Sequence, residues 1–185
     1  MSTPDHTAVP APTRDDWYQK AIDLFGPALD RLARAYEADP DKRRDLVQDI
    51  HFAVWRSFES YEGRCALRTW VYRVAHNTAT SHITRAVRLG RRHFVTLDEL
   101  AAEPASRERP VDEILARQRA LDRLYELIQR LDPIDRQVIV SYLDGIEAAE
   151  IAEIVGASSA TVGMKIHRIK RLLARQFSQG GTHDR

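Results

Sequence analysis

The sequence holds one cysteine, Cys65, among its 185 residues. A single cysteine cannot form a disulfide within the chain or build a cysteine-based zinc site, which fits a reducing cytoplasm. No stretch reaches the roughly eighteen consecutive apolar residues of a membrane span. The first residues, up to Asp16, lack the apolar segment of a signal peptide. These absences predict a cytoplasmic protein.

Common catalytic motifs are also missing. The sequence contains no HExxH, no glycine-rich phosphate loop and no GxSxG, which excludes the usual sequence signatures of metal, nucleotide and nucleophile sites. Its seven histidines form no cluster with the spacing of metal ligands. His76 and His82 are expected to face phosphate or solvent. The sequence therefore predicts no enzyme activity, no metal and no cofactor.

The charged residues of the sequence are grouped into separate basic and acidic segments. The net charge is only +1, yet residues 63–95 contain arginines and no acid, and residues 157–177 contain lysines and arginines and no acid. Residues 14–62 and 96–116 are richer in acids than in bases. Either basic block alone could be a solvated helix face. Two such blocks favour two separate contacts with a polyanion, because neutralising phosphates releases counterions.

Nearly every segment places apolar residues at helical spacing, and none alternates with a period of two. The predicted helices span about residues 16–38, 42–60, 66–88, 111–131, 133–145, 147–155 and 159–176. In the first helix Leu24, Leu32 and Tyr36 are expected to face the core, and in the fourth Ile114, Leu115 and Leu121.

Residues 94–110 lose this period and contain two X-Pro steps, which is typical of a flexible linker. The predicted fold class is therefore all-α. Two small helical domains, residues 16–93 and 111–177, are joined by that linker. Residues 1–15 and 178–185 are predicted to be disordered tails.

Residues 147–177 have the pattern of a helix-turn-helix. A short apolar helix leads through Gly156 into a basic helix that Ser158 is expected to cap. Such a second helix can enter a major groove with Ser159, Ala160 and Arg168 outward. A plain helical hairpin is the alternative interpretation.

The third predicted helix combines Trp70 and Tyr72 with arginines and Asn77. Aromatic rings beside arginine can hold single strands by stacking on bases. The alternative is that Trp70 belongs to the core, as a large aromatic at helical spacing usually does.

These segments resemble an extracytoplasmic-function sigma factor of the sigma-70 family. DLVQDIHFAVWRSF (45–58) and LRTWVYRVAHN (67–77) are similar to the family's region two. LDPIDRQVI (131–139) and EIAEIVGASSATVGMKIHRIKRLL (150–173) are similar to its region four. The resemblance covers about residues 16–93 and 111–177.

The resemblance implies a factor that binds core RNA polymerase and directs promoter-specific initiation, with the β′ clamp, the β flap and promoter DNA as partners and an anti-sigma factor as a possible one. The implied residues for the −35 element are Ser159, Ala160, Thr161, Gly163, Met164, Lys165, His167, Arg168 and Arg171. Those for melting and holding the −10 element are Tyr61, Arg64, Trp70, Arg73, His76, Asn77 and Arg85. Those for the polymerase are Asp45, Gln48 and Asp49.

Two departures from the family pattern bear on these assignments. Ser81 and Thr84 stand where an acid and a base are expected after Asn77, and Gly163 and Met164 stand where many relatives have a base and a serine. Gly163 is expected to let the backbone approach DNA, because glycine inside a helix is otherwise destabilising.

Two alternatives to a sigma factor remain. One is a stand-alone helix-turn-helix regulator that binds duplex DNA without polymerase, and the other is a helical interaction protein.

Overall fold

The computed structural model describes residues 11–90, 94–102 and 113–178. These residues form α1 (Arg14–Tyr36), α2 (Pro40–Ser57), a 3-10 turn (Phe58–Ser60), α3 (Leu67–Arg88), α4 (Leu97–Ala102), α5 (Glu113–Arg130), α6 (Pro133–Leu143), α7 (Ala148–Val155) and α8 (Ser159–Ser178). The predicted all-α fold is confirmed, and within the described ranges the only extended pairing is an isolated bridge between Val95 and Leu131. Most of the two predicted tails, Arg91, Arg92 and residues 103–112 lie outside the described residues.

Side-chain caps set the ends of the first two helices. Thr13 accepts a hydrogen bond from the Asp16 backbone N–H at 3.2 Å, and Asp16 accepts one from the Thr13 backbone N–H at 2.8 Å. This capping box satisfies two N–H groups that a helix start leaves unpaired. The prediction of a tail up to residue 15 is therefore wrong for residues 13–15, because the Thr-x-x-Asp cap outweighs the polar composition. Asp39 caps α2 by accepting hydrogen bonds from the Asp41 and Lys42 backbone N–H groups, with Pro40 in the first turn of the helix.

Helices α1 to α3 form the N-terminal domain, a three-helix unit around one apolar core. Leu29, Leu32, Leu46, Ile50, Val54, Val71, Ala75 and Ile83 are all nearly inaccessible to solvent. Burying each leucine or isoleucine side chain contributes about 1.5–3 kcal/mol. The amphipathic pattern of the sequence is thus sufficient to explain this domain.

Some residues predicted to face the core are exposed. Leu24 is 59% exposed, because α2 and α3 cover the face of α1 that carries Leu29 and Leu32, and Leu24 lies at the edge of that face. In α5, Ile114, Leu115 and Leu121 are also exposed, whereas Ile128 is buried. The apolar stripe of α5 is therefore longer than the surface that the rest of the described chain offers to it.

The beginning of the predicted linker packs against the C-terminal domain, which consists of α5 to α8. The Val95 N–H donates to the Arg130 carbonyl oxygen at 2.9 Å. Leu97 and Leu100 of α4 are buried, and α4 lies against α8. The prediction of a flexible segment is wrong for residues 94–102, because one and a half helical turns are too short to show a helical period.

Helix ends in the C-terminal domain agree with the sequence analysis. Asp132 accepts hydrogen bonds from the Ile134 and Asp135 backbone N–H groups, both at 2.9 Å. Gly156 ends α7 at φ 71°, a left-handed conformation that costs glycine nothing. Ser158 then caps α8 by accepting from the Thr161 N–H at 3.1 Å. The tight turn between α7 and α8 that a helix-turn-helix needs is therefore present.

The two domains pack against each other. Helix α3 contacts α6 and α7, and α1 contacts α5 and α6. No described helix is both long enough and apolar enough to cross a lipid bilayer.

Candidate nucleic-acid interface

One face of α8 is open to solvent and carries most of the residues predicted to read the −35 element. The exposed members of that set are Ser159, Ala160, Gly163, Met164, His167, Arg168 and Arg171. The opposite face, with Val162, Ile166 and Ile169, is buried against the domain. Helix α8 therefore offers a polar and basic face of the kind that enters a major groove.

Two predicted −35 residues are engaged inside the domain. The Lys165 ammonium lies 2.5 Å from Asp135 of α6, whose carboxylate is buried. Burial raises the pKa of Asp135, and the paired Lys165 opposes that rise. The Thr161 hydroxyl lies 2.8 Å from the Ser158 hydroxyl at the start of α8. The contact between Lys165 and Asp135 holds α8 on α6.

The residues predicted to contact the −10 element divide into three groups. Asn77 and Arg85 are exposed on α3, and Ser81 lies between them on the same line of the helix. Arg64 is exposed in the loop before α3, 2.5 Å from Glu62. These side chains are accessible to a nucleic-acid strand.

Tyr61 and Trp70 belong to an aromatic cluster and are half-buried. Their ring centroids are 5.3 Å apart, and Trp17 and Phe58 also contact the Tyr61 ring. The Trp70 indole N–H donates to the Ser57 hydroxyl at 2.9 Å. The alternative in which Trp70 belongs to the core is therefore partly right, since the ring is held by the domain and only part of it reaches solvent.

Arg73 and His76 point toward the C-terminal domain. Arg73 donates to the Glu153 carbonyl oxygen of α7 at 2.7 Å. His76 is 1% exposed, with Nδ1 at 2.9 Å from the Tyr36 hydroxyl and Nε2 at 3.0 Å from the Ser141 hydroxyl. Burial lowers the pKa of His76 to about 3, so the ring is neutral. The expectation that His76 faces phosphate or solvent is wrong for this arrangement of domains, because α6 covers the ring.

A separate face of α2 carries the residues predicted to bind the polymerase. Asp45, Gln48 and Asp49 are all exposed. Phe52 continues the same line and is 61% exposed. Phe52 is not among the residues predicted from the sequence to bind the polymerase. Its position was a usable signal, since it is an apolar residue out of register with Leu46, Ile50 and Val54.

Among the described residues no group of three or more histidine, cysteine, aspartate or glutamate side chains could hold a metal ion. The exposed side chains form surfaces that can bind macromolecular partners. These surfaces are the basic face of α8, the arginine-bearing loop before α3, and the acidic face of α2 with its one aromatic residue.

Two family models match the chain. Sigma-70 region 2 matches residues 21–89, and Sigma-70, region 4 matches residues 121–173. The first match spans most of α1 to α3, and the second runs from the middle of α5 into α8. Their order along the chain is the order that the sequence analysis expected.

Known proteins agree with these matches. The chain is 29% identical to the ECF RNA polymerase sigma-E factor of Haemophilus influenzae over 141 residues, which cover 70% of this chain and 71% of that protein. It shares the fold of CnrH, solved in complex with the cytosolic domain of CnrY, with a TM-score of 0.62, 22% identity and 89% of each chain covered. It also shares the fold of the sigma factor RpoE from Bartonella quintana, solved with the anti-sigma factor NepR, with a TM-score of 0.61, 22% identity, and 90% of this chain and 98% of that chain covered. The chain therefore belongs to the extracytoplasmic-function group of the sigma-70 family.

Proposed function

We propose that this chain binds core RNA polymerase and directs it to promoters by reading a −35 element with α8 and holding an opened −10 element with α3 and the loop before it. The observation that carries the proposal is the exposed reading face of α8, joined in one chain to a second domain whose α2 presents a polar acidic face. A DNA-binding helix alone would not need that second surface.

The chemistry of the α8 face supports the −35 assignment. Arg168 and Arg171 are exposed and can donate to base edges or phosphates in the major groove. Arginine contacts guanine through two hydrogen bonds, which discriminates against a wrong base by about 1–3 kcal/mol. The start of α8 adds backbone N–H groups that favour a phosphate.

The −10 assignment rests on the surroundings of α3. Asn77 and Arg85 are exposed along the helix, and Arg64 is exposed in the preceding loop. Opening a duplex requires that unstacked bases find new partners, at a cost of a few kcal/mol for each base. Arginines for the backbone, together with the accessible parts of Tyr61 and Trp70, supply such partners.

The polymerase assignment rests on α2. Asp45, Gln48 and Asp49 form an exposed acidic line, and Phe52 gives that line an apolar residue. Interfaces draw most of their binding energy from a few residues that are often aromatic, while charges steer the encounter. We infer that this face docks on the polymerase clamp and that the C-terminal domain contacts the flap.

We further infer that the chain catalyses nothing itself and works in the cytoplasm with the polymerase. We infer an anti-sigma factor as a further partner class, because the sigma factor of Bartonella quintana was solved in complex with one, NepR. The stand-alone regulator is the disfavoured alternative, since both family matches are sigma regions.

Transcription from a genomic promoter library, with purified chain and bacterial core RNA polymerase, tests the proposal. Transcripts should start at defined promoters only when both components are present. A triple variant of α2, Asp45→Ala with Gln48→Ala and Asp49→Ala, should abolish those transcripts without changing how the chain unfolds, because all three side chains are exposed.

A second outcome of the same experiment would contradict the proposal. If the library yields no transcripts and the chain alone binds one duplex tightly, the chain is a stand-alone regulator.

Exchange of Glu126 for glutamine on α5 provides a control for charge removal in the α2 variant, because this residue is exposed and outside the assigned surfaces.

A further inference from the structure

The exposed face of α8 changes its chemistry along the helix. The exposed residues of its first two turns carry no charge and are Ser159, Ala160, Gly163 and Met164. The turns that follow are basic, with Arg168 exposed on the same face. In a helix-turn-helix the first residues of the second helix are the ones that contact base edges. The part of α8 that lies nearest the bases is therefore neutral.

The polar side chains at this end of α8 contact other groups of the chain. The Lys165 ammonium lies 2.5 Å from the Asp135 carboxylate, and the Ser158 and Thr161 hydroxyls are 2.8 Å apart. The exposed Ser159 hydroxyl both donates and accepts hydrogen bonds, so by itself it selects poorly among bases. Sequence reading by these two turns must therefore draw on apolar contact as well.

Met164 is the side chain that can supply such a contact. It is 63% exposed, although it is apolar. Its neighbours on the face are small, since Ala160 has only a methyl group and Gly163 has no side chain, and a Cβ at Gly163 would meet no atom within 4 Å. The flexible, polarisable thioether of Met164 thus projects past its neighbours and can adapt to a surface laid against it.

The major groove offers one apolar partner to such a side chain. The base edges present hydrogen-bond donors and acceptors there, and the apolar group among them is the C5-methyl of thymine. A thioether placed over the other edges would take water from polar groups without pairing them, which disfavours binding. Placed over a thymine methyl it removes apolar surface from water, and one such group changes affinity about fourfold.

We propose that Met164 determines part of the promoter specificity by reading the C5-methyl group of a thymine in the −35 element. This inference rests on the proposed function, because it takes α8 to enter the major groove at that element. Met164 and Arg168 lie one turn apart on the same line of the helix, about 6 Å along its axis. Base pairs follow one another at about 3.4 Å, so the thymine should lie about two base pairs from the one that Arg168 reads.

Replacement of single thymines by uracil tests this contact, because uracil pairs as thymine does and lacks only the methyl group. The probe is a labelled promoter fragment found in the library, and the chain is used in complex with bacterial core RNA polymerase. Each −35 thymine on either strand is replaced in turn. At one position the wild-type complex should bind about fourfold more weakly. Uracil placed between the −35 and −10 elements is the DNA control and should leave affinity unchanged.

Two substitutions at Met164 connect that loss to this side chain. Met164→Ala removes the thioether, so it should bind the thymine fragment about fourfold more weakly and no longer distinguish thymine from uracil at the sensitive position. Met164→Leu keeps an apolar side chain of similar volume and should retain most of the distinction. Leu24→Ala, which truncates a side chain of similar exposure on α1, should behave as the wild type.

The outcomes separate the two proposals. If the wild-type chain and core polymerase form no promoter-specific complex, the proposed function fails and the role of Met164 fails with it. If the complex forms but no −35 uracil weakens it, or if Met164→Ala still distinguishes thymine from uracil, the role of Met164 is overturned while the proposed function stands. Loss of the distinction in Met164→Ala, with its retention in Met164→Leu and Leu24→Ala, supports the role.

Discussion

Arg168 on the reading face of α8 donates a hydrogen bond to Asp98 on α4 at 3.2 Å. Helix α4 is the ordered beginning of the predicted linker, and its buried Leu97 and Leu100 hold Asp98 beside α8. The side chain assigned to base reading in the −35 element is thus already paired with a carboxylate of the same chain. Both partners are well exposed, at 57% and 89% of the side chain, so solvent weakens the pair.

Replacement of Asp98 by asparagine should strengthen binding to a −35 duplex modestly. An exposed ion pair contributes about 0.2–1 kcal/mol, so the affinity should rise by no more than about fivefold. The gain should shrink at high salt, which screens exposed charges. Fluorescence anisotropy with a labelled duplex measures the effect, and equal affinity of the variant and wild type would show that Asp98 does not restrain Arg168.

Replacement of Arg168 by alanine should have the larger and opposite effect. The expected loss is about 1–3 kcal/mol in −35 binding, together with relaxed preference at one base pair. Arg175→Ala, in the last turns of the same helix, should weaken binding less and equally for all sequences. A wild-type isotherm for the Arg168 variant would exclude it from base reading.

Substitution of Gly163 should change the stability of the chain and its affinity for DNA in opposite directions. A Cβ added at this exposed helical position would meet no atom within 4 Å, so no packing contact requires glycine there. Gly163→Ala should therefore raise the free energy of unfolding by about 0.5–1 kcal/mol. It should also weaken −35 binding if the backbone approaches DNA at this point.

Urea denaturation and duplex titration of the same preparation test both parts of the Gly163 prediction. A more stable variant with unchanged DNA affinity would refute the close-approach role.

Phe52 should matter to polymerase binding and little to folding. Its ring is 61% exposed, so truncation to alanine removes little buried surface within the chain. An aromatic anchor at an interface is typically worth about 2 kcal/mol or more, which corresponds to roughly thirtyfold weaker binding. Leu24→Ala is a matched control, because Leu24 is 59% exposed on α1. Competition for core polymerase against a labelled chain measures the difference, and equal affinity of both variants would remove Phe52 from the interface.

His76 should make the stability of the chain depend on pH. Burial lowers its folded-state pKa to about 3 from 6.5 in the unfolded chain. The unfolded state therefore binds the proton more readily between these values. The contribution of the buried, neutral His76 to the free energy of unfolding is fully present above pH 6.5. It declines as the pH falls below 6.5 and is lost by about pH 3.

From pH 7 to pH 5 this loss should amount to about 2 kcal/mol. His76→Gln should have a shallower decline over that interval in urea titrations, whereas His167→Gln, on the exposed face of α8, should keep the wild-type slope. Identical slopes for all three proteins would show that His76 stays accessible to protons.

The sequence predicted the helices and both domains because the responsible interactions are local. Apolar spacing shows which face of α2 or α3 is buried, and residues such as Asp132, Gly156 and Ser158 determine where helices end. Two predictions from the sequence were wrong. The Thr13 cap was not recognised in the predicted tail, and the segment that forms α4 is too short to show a helical period. The α8 face was predictable for the same reason, since exposure of Arg168 follows from burial of Val162, Ile166 and Ile169.

Contacts between residues distant in sequence were decided only by the tertiary structure. Glu150 meets Arg68 across 82 positions, and His76 meets Ser141 across 65. No helical period encodes such pairs, because they depend on how one domain is placed on the other. That placement depends on pairings between distant side chains, both polar and apolar, whereas each helix rests on its own hydrogen bonds and apolar face. The sequence by itself therefore determined which helices form and which faces are apolar, and only the tertiary structure decided which of the polar faces are covered.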